Sequence, residues 1–308
     1  MYKKIIIGTR GSKLSLAYAG RVKNLLISLN PSPKIHIDIK IIKTTGDLNV
    51  DKKISELGGK NYFCKEIEDQ LLNKKIDIAV HSLKDMETFE NKNLVVAAYL
   101  KRNDPRDILV MKDKDFISSS KNYSIGSSSK RRELQMKLLF KNFATKEIRG
   151  NIDTRIEKVK HGKYDGVMLA AAGLKTLSLE KYISKYFSIN EVIPAAGQGV
   201  IAVQCRSDEK EIKEYLSKIS DNNTKICASC EKELLKTIRG DCHTAVGAYA
   251  EIKSDKLKLI AKLFSDDEKR YFYSEASGGV NEYNTIGKKV GLELLEKSGD
   301  SYKKKSWI

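Results

Sequence analysis

Four short stretches of this chain gather small hydroxyl residues, glycine and charge at the ends of apolar runs. They are Gly8-Thr-Arg-Gly-Ser12, Val80-His-Ser-Leu-Lys-Asp85, Gly126-Ser-Ser-Ser-Lys-Arg-Arg132 and Arg149-Gly-Asn-Ile-Asp-Thr-Arg155. Backbone N–H groups and hydroxyls in such turns can satisfy an anion, and a guanidinium fork adds two parallel hydrogen bonds to a carboxylate or phosphate, which an ammonium cannot make. Only eleven of the 57 basic residues are Arg, and five of those eleven (Arg10, Arg131, Arg132, Arg149, Arg155) stand in or beside these turns. In a chain that otherwise uses Lys, that placement points to bidentate anion binding. Asp85 closes the second of these stretches, directly after Lys84. It reads either as a surface carboxylate paired with Lys84 or as an ionised group that stabilises a developing cation or relays a proton. Cys242, in Arg239-Gly-Asp-Cys-His243, reads either as a packed turn thiol or as a nucleophile activated by Arg239 and His243. Cys64, Cys205, Cys227 and Cys230 fall in helical or apolar settings and read as packing residues. A zinc set would need Cys227 and Cys230 completed by Cys242 and His243, with no second Cys pair at suitable spacing, so no metal is expected.

Alternating strands and helices must carry these turns. Lys4–Gly8 predicts a buried strand, and Ser12 caps a helix running to about Leu29. Further strands are expected at 35–42, 77–81 and 94–98, with a helix over 62–73 between the first two. After Asn103-Asp104-Pro105 the plan restarts: strands at 107–111 and 123–125, a helix from 130, a strand ending at Ile148, a helix over 152–161 and a strand at 164–172. Ile7–Ser12 and Ile125–Lys130 share one layout of strand, small-residue turn and helix start. Two similar lobes, each aiming such a turn at a shared cleft, would form an anion site. Beyond Asp221 the pattern separates into a helix over 223–238, strands near 243–251, 256–264 and 269–275, and a helix near 283–297, as in a small α+β domain.

With 308 residues the chain exceeds a single core's usual limit of roughly 250–300 residues. At 41% hydrophobic residues and four Pro it is neither disordered nor collagen-like. No apolar run approaches the roughly 18 residues of a membrane span, and the first residues do not form a signal peptide. Five cysteines, an odd number, fit reduced thiols in the cytoplasm. The net charge of +17 favours anionic partners. Nucleic acid is disfavoured because aromatics, at 7%, do not interleave with the basic runs. A two-lobed binding protein for small anions is the competing class, and it leaves Cys242 and the third domain without a task.

Taken together and in order, the motifs resemble the porphobilinogen deaminase (hydroxymethylbilane synthase) family. Besides the four turns these are Thr45-Gly-Asp47, Asn103-Asp-Pro-Arg-Asp107, Ala172-Gly-Leu-Lys175, Pro194-Ala-Ala-Gly-Gln-Gly199, Gln204-Cys-Arg206, and Cys242 with Gly247-Ala-Tyr-Ala250. The resemblance implies two periplasmic-binding-protein-like α/β lobes plus a C-terminal α+β domain. The boundaries expected are 1–102 with 199–220, then 103–198, then 221–308. It implies a monomeric cytoplasmic transferase whose Cys242 holds a dipyrromethane cofactor through a thioether. Four molecules of porphobilinogen are added to it with loss of ammonia, and water releases the linear hydroxymethylbilane. By resemblance Asp85 is catalytic. Lys84, Asp85, Ser128, Ser129, Arg131, Arg132 and Arg155 hold the cofactor, and Arg10, Ser12, Arg149, Arg155, Lys60 and Phe63 hold substrate. The chain departs from the family's pattern at three places. Gly59-Lys-Asn-Tyr-Phe63 replaces Gly-Lys-Gly-Leu-Phe, Thr176 stands where an Arg is usual, and Arg239-Gly-Asp-Cys-His243 replaces Glu-Gly-Gly-Cys-Gln.

Overall fold

A computed structural model describes residues 4–29, 35–48, 63–113, 121–241 and 243–303 of the chain. Two compact units emerge, one formed by 1–103 and 200–225, the other by 104–199 and 226–308. In chain order, β1 (Lys4–Thr9), α1 (Lys13–Ser28), β2 (His36–Ile41), α2 (Thr45–Leu48), α3 (Lys65–Leu72), β3 (Ile78–Ser82) and β4 (Leu94–Tyr99) belong to the first unit. The second unit then takes β5 (Asp107–Met111), β6 (Tyr123–Gly126), α4 (Lys130–Leu139), β7 (Phe143–Lys146), α5 (Ile152–Lys160), β8 (Gly166–Ala170), α6 (Ala171–Thr176) and β9 (Lys185–Tyr186). The chain returns to the first unit as β10 (Ile201–Arg206) and α7 (Lys210–Ser217). It leaves again within α8 (Asn222–Ile238) and ends in the second unit as β11 (Val246–Lys253), β12 (Lys256–Phe264), β13 (Tyr271–Gly279) and α9 (Tyr283–Ser298).

The two large sheets repeat one topology. Their orders are β2-β1-β3-β10-β4 and β7-β6-β8-β5-β9. In each, three parallel strands are followed by an antiparallel strand, β10 or β5, that arrives from elsewhere in the chain. The match extends to single atoms. Asp77, just before β3, accepts from Ile6 N at 2.8 Å and donates its own N–H to Ile6 O at 2.9 Å. Asp165, before β8, makes the same pair with Ser124 N and O at 2.8 and 2.9 Å. A Cβ on Gly8 would lie 3.0 Å from Ile42 Cδ1, and one on Gly126 would lie 2.9 Å from Ile148 Cδ1. Both glycines therefore let an isoleucine beyond the second strand close over the end of the first. The weak likeness of Ile7–Ser12 to Ile125–Lys130 thus marks equivalent positions of two α/β lobes.

Burial follows the pattern expected of sheets covered on both faces, whose strands are apolar throughout. Ile5, Ile7, Ile78, Val80 and Val203 face α1 and α7, whereas Ile42, Ala79 and Leu94 face α3 with Ile67 and Leu71. The third sheet, β11-β12-β13, is antiparallel and packs one face, Ala248, Ala250, Leu257, Leu259, Ala261 and Leu263, on Leu234, Ile286, Val290 and Leu294 of α8 and α9. That is the α+β part of the fold. The sequence reading located most of these elements but not α2, β9, β10 or α7, and it ran the strand at 164–172 into Ala171 and Ala172, which open α6 because the strand ends at Ala170.

Gly247 opens β11 where the chain passes very close: a Cβ there would lie 2.6 Å from Ile193 O and 2.8 Å from Ile193 Cβ. Backbone cannot swing aside as a side-chain end can. Gly247→Ala is expected to lower unfolding free energy by about 1–3 kcal/mol. Gly20→Ala in α1, where nothing lies within 4 Å of the added carbon, is expected to raise it by about 0.5–1 kcal/mol. Urea denaturation of the two variants checks the contrast.

Candidate active site

The first unit brings Arg10, Ser12, Phe63, Lys84 and Asp85 to the carboxyl ends of β1 and β3. Ser12 accepts from Ser15 N at 3.1 Å and starts α1, so its hydroxyl is the helix cap. Arg10 leaves the β1 turn and meets Asp47 of α2, with Nη2–Oδ1 2.5 Å and Nε–Oδ1 3.2 Å. Phe63 stacks beneath the guanidinium at 4.1 Å. Burial raises the Asp47 pKa, but Arg10 and Thr44 outweigh it and hold the carboxyl below its ordinary value. Arg10 is thereby fixed in place with its charge offset by a neighbour, a pairing the sequence reading did not anticipate. The signal available was the Thr45-Gly-Asp47 turn directly after β2.

Lys84 and Asp85 lie on a single 3-10 turn, Leu83–Asp85, that closes β3. Leu83 is buried and its N–H donates to Val200 O at 3.0 Å, while the Asp85 side is exposed. The Cys64 thiol, at the start of α3, donates to the Asp85 carbonyl at 3.6 Å. That cysteine is an inert anchor, because burial and then Asp85 drive its pKa well up. Within β3, His81 is buried, and burial lowers its pKa to about 4, opposed by the neighbouring Gln204 side chain. His81 is therefore a neutral support. Gln204 in turn donates to Glu68 Oε1 of α3 at 2.9 Å. The turn bearing Asp85 is thus held from below by β10 and from one side by α3.

The second unit collects the other donors. Ser127 Oγ accepts from Ser129 N at 3.1 Å, and Ser128 Oγ donates to Ile148 O, which shapes the turn before α4. Arg131 and Arg132 follow at the head of α4 and both reach Asp107, the first residue of β5. Arg131 Nη1 lies 2.6 Å from Oδ2 and Arg132 Nε 2.8 Å from Oδ1. The three side chains are 5%, 9% and 0% exposed. Arg131 also donates to Ile193 O at 2.7 Å, and Gln198 Nε2 donates to Asp107 Oδ1 at 3.1 Å. Burial, with Arg132 adding to it, lowers the Arg131 pKa against the pull of Asp107. Two buried cations share one anion, so the cluster keeps a surplus positive charge. Asp107 was quoted only as the end of the Asn103–Asp107 motif, and its role as the shared anion was missed; a lone acid opening the apolar run Asp107-Ile-Leu-Val-Met111 was the available sign.

Arg149 Nε lies 3.1 Å from Glu147 Oε1, and Arg155 Nε donates to the carbonyl of Gly150, whose φ of +108° suits glycine. Lys175, beside the departure at Thr176, pairs with Asp104 at 2.8 Å, and Thr176 donates back to Ala172 O within α6. Burial raises the Asp104 pKa, yet Arg106 and Lys175 bring it down to about 2. Lys60 and Cys242 lie outside the described residues. On either side of Cys242, Asp241 Oδ1 accepts from His243 N and Thr244 N at 2.9 Å each. The other four cysteines are buried, and burial pushes Cys205 up to about 11.

Serine hydroxyls, turn amides and guanidinium groups make a donor set suited to carboxylates, and among the described residues no group of three or more His, Cys, Asp and Glu could hold a metal ion. A family model described as porphobilinogen deaminase, dipyromethane cofactor binding domain, matches residues 5–214, and a second, porphobilinogen deaminase, C-terminal domain, matches 225–296. The chain belongs to the porphobilinogen deaminase family. The porphobilinogen deaminase of Coxiella burnetii (strain Dugway 5J108-111) is 40% identical over 301 residues, covering 97% of this chain and 96% of that protein. That of Syntrophomonas wolfei is 39% identical over 306 residues, covering 96% and 97%. Among solved structures, the periplasmic aliphatic sulphonate binding protein SsuA from Escherichia coli aligns at 12% identity over 78% of this chain and 71% of that one, with a TM-score of 0.42. Membership makes the chain a transferase with a dipyrromethane cofactor, whose carboxylate-bearing rings suit the donors described.

Removing one partner from a buried ion cluster costs far more than the cluster contributes intact, because the remaining charges stay desolvated. Asp107→Asn leaves Arg131 and Arg132 facing each other and is expected to cost about 3–5 kcal/mol of stability. Its denaturation midpoint should fall well below that of Asp165→Asn, which keeps an acceptor for Ser124 N and loses only a half-buried charge paired with the exposed Lys121 at 3.5 Å.

Proposed function

We propose that the chain is a monomeric, cytoplasmic hydroxymethylbilane synthase that joins four porphobilinogen molecules onto a dipyrromethane tethered by Cys242, with domains at 1–102 plus 199–220, 103–198 and 221–308. The observation that carries this reading is the concentration of donor-lined turns at the strand ends of each lobe, with an exposed carboxylate, Asp85, at one such end in the first, in a chain of this family. When bound, the cofactor supplies a nucleophilic pyrrole carbon at the end of a covalent arm. Lys84, Ser128, Ser129, Arg131, Arg132 and Arg155 are the residues proposed to hold that arm, and Arg10, Ser12, Arg149, Arg155, Lys60 and Phe63 the incoming substrate.

Each added ring brings two carboxylates, so the chain's own task is to neutralise a growing polyanion. Charge-assisted bonds from guanidinium groups do this better than ammonium, which explains the sparing placement of Arg. Departure of ammonia leaves a cation on the substrate pyrrole. The Asp85 carboxylate, on a turn fixed by Leu83 and Cys64, opposes charge that exists only along the reaction path, and such interactions raise kcat more than they tighten binding. Arg10, with Asp47 and Phe63 behind it, presents its remaining N–H edge to an acid arm without needing to be ordered first.

The covalent arm gives the direct test. Intact-protein mass of the active enzyme should exceed the sequence mass by a dipyrrole, and Cys242→Ser should return it to the sequence value; active protein at the sequence mass overturns the proposal. Asp85→Asn should keep the added mass and lose at least about 100-fold in turnover, whereas near-normal turnover removes Asp85 from the chemistry.

A further inference from the structure

The third sheet has a second face, turned away from α8 and α9. Strand register places Gly247, Lys262 and Tyr273 in one row across it, and Tyr249, Ile260 and Glu275 in the next. The segment 189–193 walls this face, and between them lies a cavity of about 530 Å³. The size suits a small molecule, since ligand pockets span roughly 300–1,000 Å³. The wall is firmly placed. Ala248 N donates to Pro194 O at 2.9 Å, Ile193 N donates to Gln135 Oε1 at 2.8 Å, and Ile193 O accepts from Gln135 Nε2 at 3.0 Å and from Arg131 Nη1 at 2.7 Å.

Most charges around the cavity already answer one another. Lys258 pairs with Glu275 at 3.1 Å and Lys253 with Glu251 at 2.8 Å. Lys262 differs: it is half-buried, has no carboxylate partner among the described residues, and lies 5.0 Å from the Tyr271 ring. Burial lowers its pKa, so its ammonium gains from any anion brought alongside. Around it stand apolar and aromatic surfaces, Ile189, Ile193, Ile260, Tyr249 and Tyr273.

We propose that this cavity is a ligand site separate from the anion-binding turns, and that it takes a flat aromatic carboxylate with its acid group on Lys262 and its ring among Tyr249, Tyr273 and Ile260. Ile193 lines the cavity and also holds Arg131, so a ligand that shifts Ile193 acts on the Arg131–Asp107–Arg132 cluster. This coupling rests on the reading above that the cluster serves substrate or cofactor acid arms. Linkage makes it reciprocal at equilibrium.

The test uses the full cofactor-bearing chain with isoleucine methyl groups labelled for NMR, titrated with benzoate, acetate and neutral benzamide. The Ile189, Ile193 and Ile260 methyls should shift saturably with benzoate and not with the other two. Lys262→Gln should weaken benzoate binding at least about tenfold, and the exposed Lys269→Gln should not. Unmoved methyls, equal response to acetate, or an unaffected Lys262→Gln variant each overturn the site. A benzoate-dependent change in KM for porphobilinogen that vanishes in Lys262→Gln supports the coupling; saturating methyls with an unchanged KM refute the coupling and leave the site. Porphobilinogen titrated into the Cys242→Ser chain separates the sources: shifts at the same methyls identify the reaction's own pyrrole acids as occupants, and their absence identifies an acid from outside it. Because the methyl readout needs no turnover, failure of the proposed activity would be distinguishable from failure of the site.

Discussion

Asp107 has no exposed side-chain surface, and two guanidinium groups and an amide converge on its two oxygens. A carboxylate in that setting is stable only while its partners stay, and the partners are tolerable only while it stays. The four groups come from the first residue of β5, the first turn of α4 and the segment approaching β10. One buried ionic knot therefore ties three otherwise separate pieces of chain in the second unit, and through Ile193 O it reaches the segment that walls the third sheet. The donors of the Ser127–Ser129 turn keep their places because the helix behind them is fixed by this knot.

Much of this was legible. Period-two runs such as His36–Ile41 and buried runs such as Ile78–Ser82 announced strands, and Ser12 announced the start of α1, because those signals act over a few residues. The contrast between Lys and Arg was legible for the same reason. What stayed hidden was which guanidinium groups gather on a buried acid of the chain. Arg131 and Arg132 look identical in sequence to Arg149 and Arg155, yet the first two are enclosed around an acid 24 and 25 positions away. Distant pairing also hid β10, whose neighbours β3 and β4 precede it by about a hundred residues. The site turns were found by their local chemistry; their supports, Asp47, Gln204 and Asp107, stand in quoted motifs, but what each pairs with was visible only when the fold brought the partners close.

The repeat shows how such supports are reused. Asp77 and Asp165 each clamp the first strand of their sheet, and Ile42 and Ile148 each cover a glycine at that strand's end. A turn that must expose backbone donors to an anion cannot also be packed by a large side chain of its own, so a neighbour's methyl groups fill the space. Both lobes use that solution, which is why the sequence likeness is confined to a few small residues.

The antiparallel strands β5 and β10 are each delivered to a sheet by a chain that has just left the other unit. On the ribosome, β3 and β4 therefore emerge roughly a hundred residues before the strand that joins them. Until then the N-terminal sheet presents two unpaired edges, the kind of surface that recruits foreign strands. Native assembly of the first lobe is consequently a late event of synthesis, and a nascent chain halted between 100 and 200 would hold an incomplete sheet rather than a finished lobe.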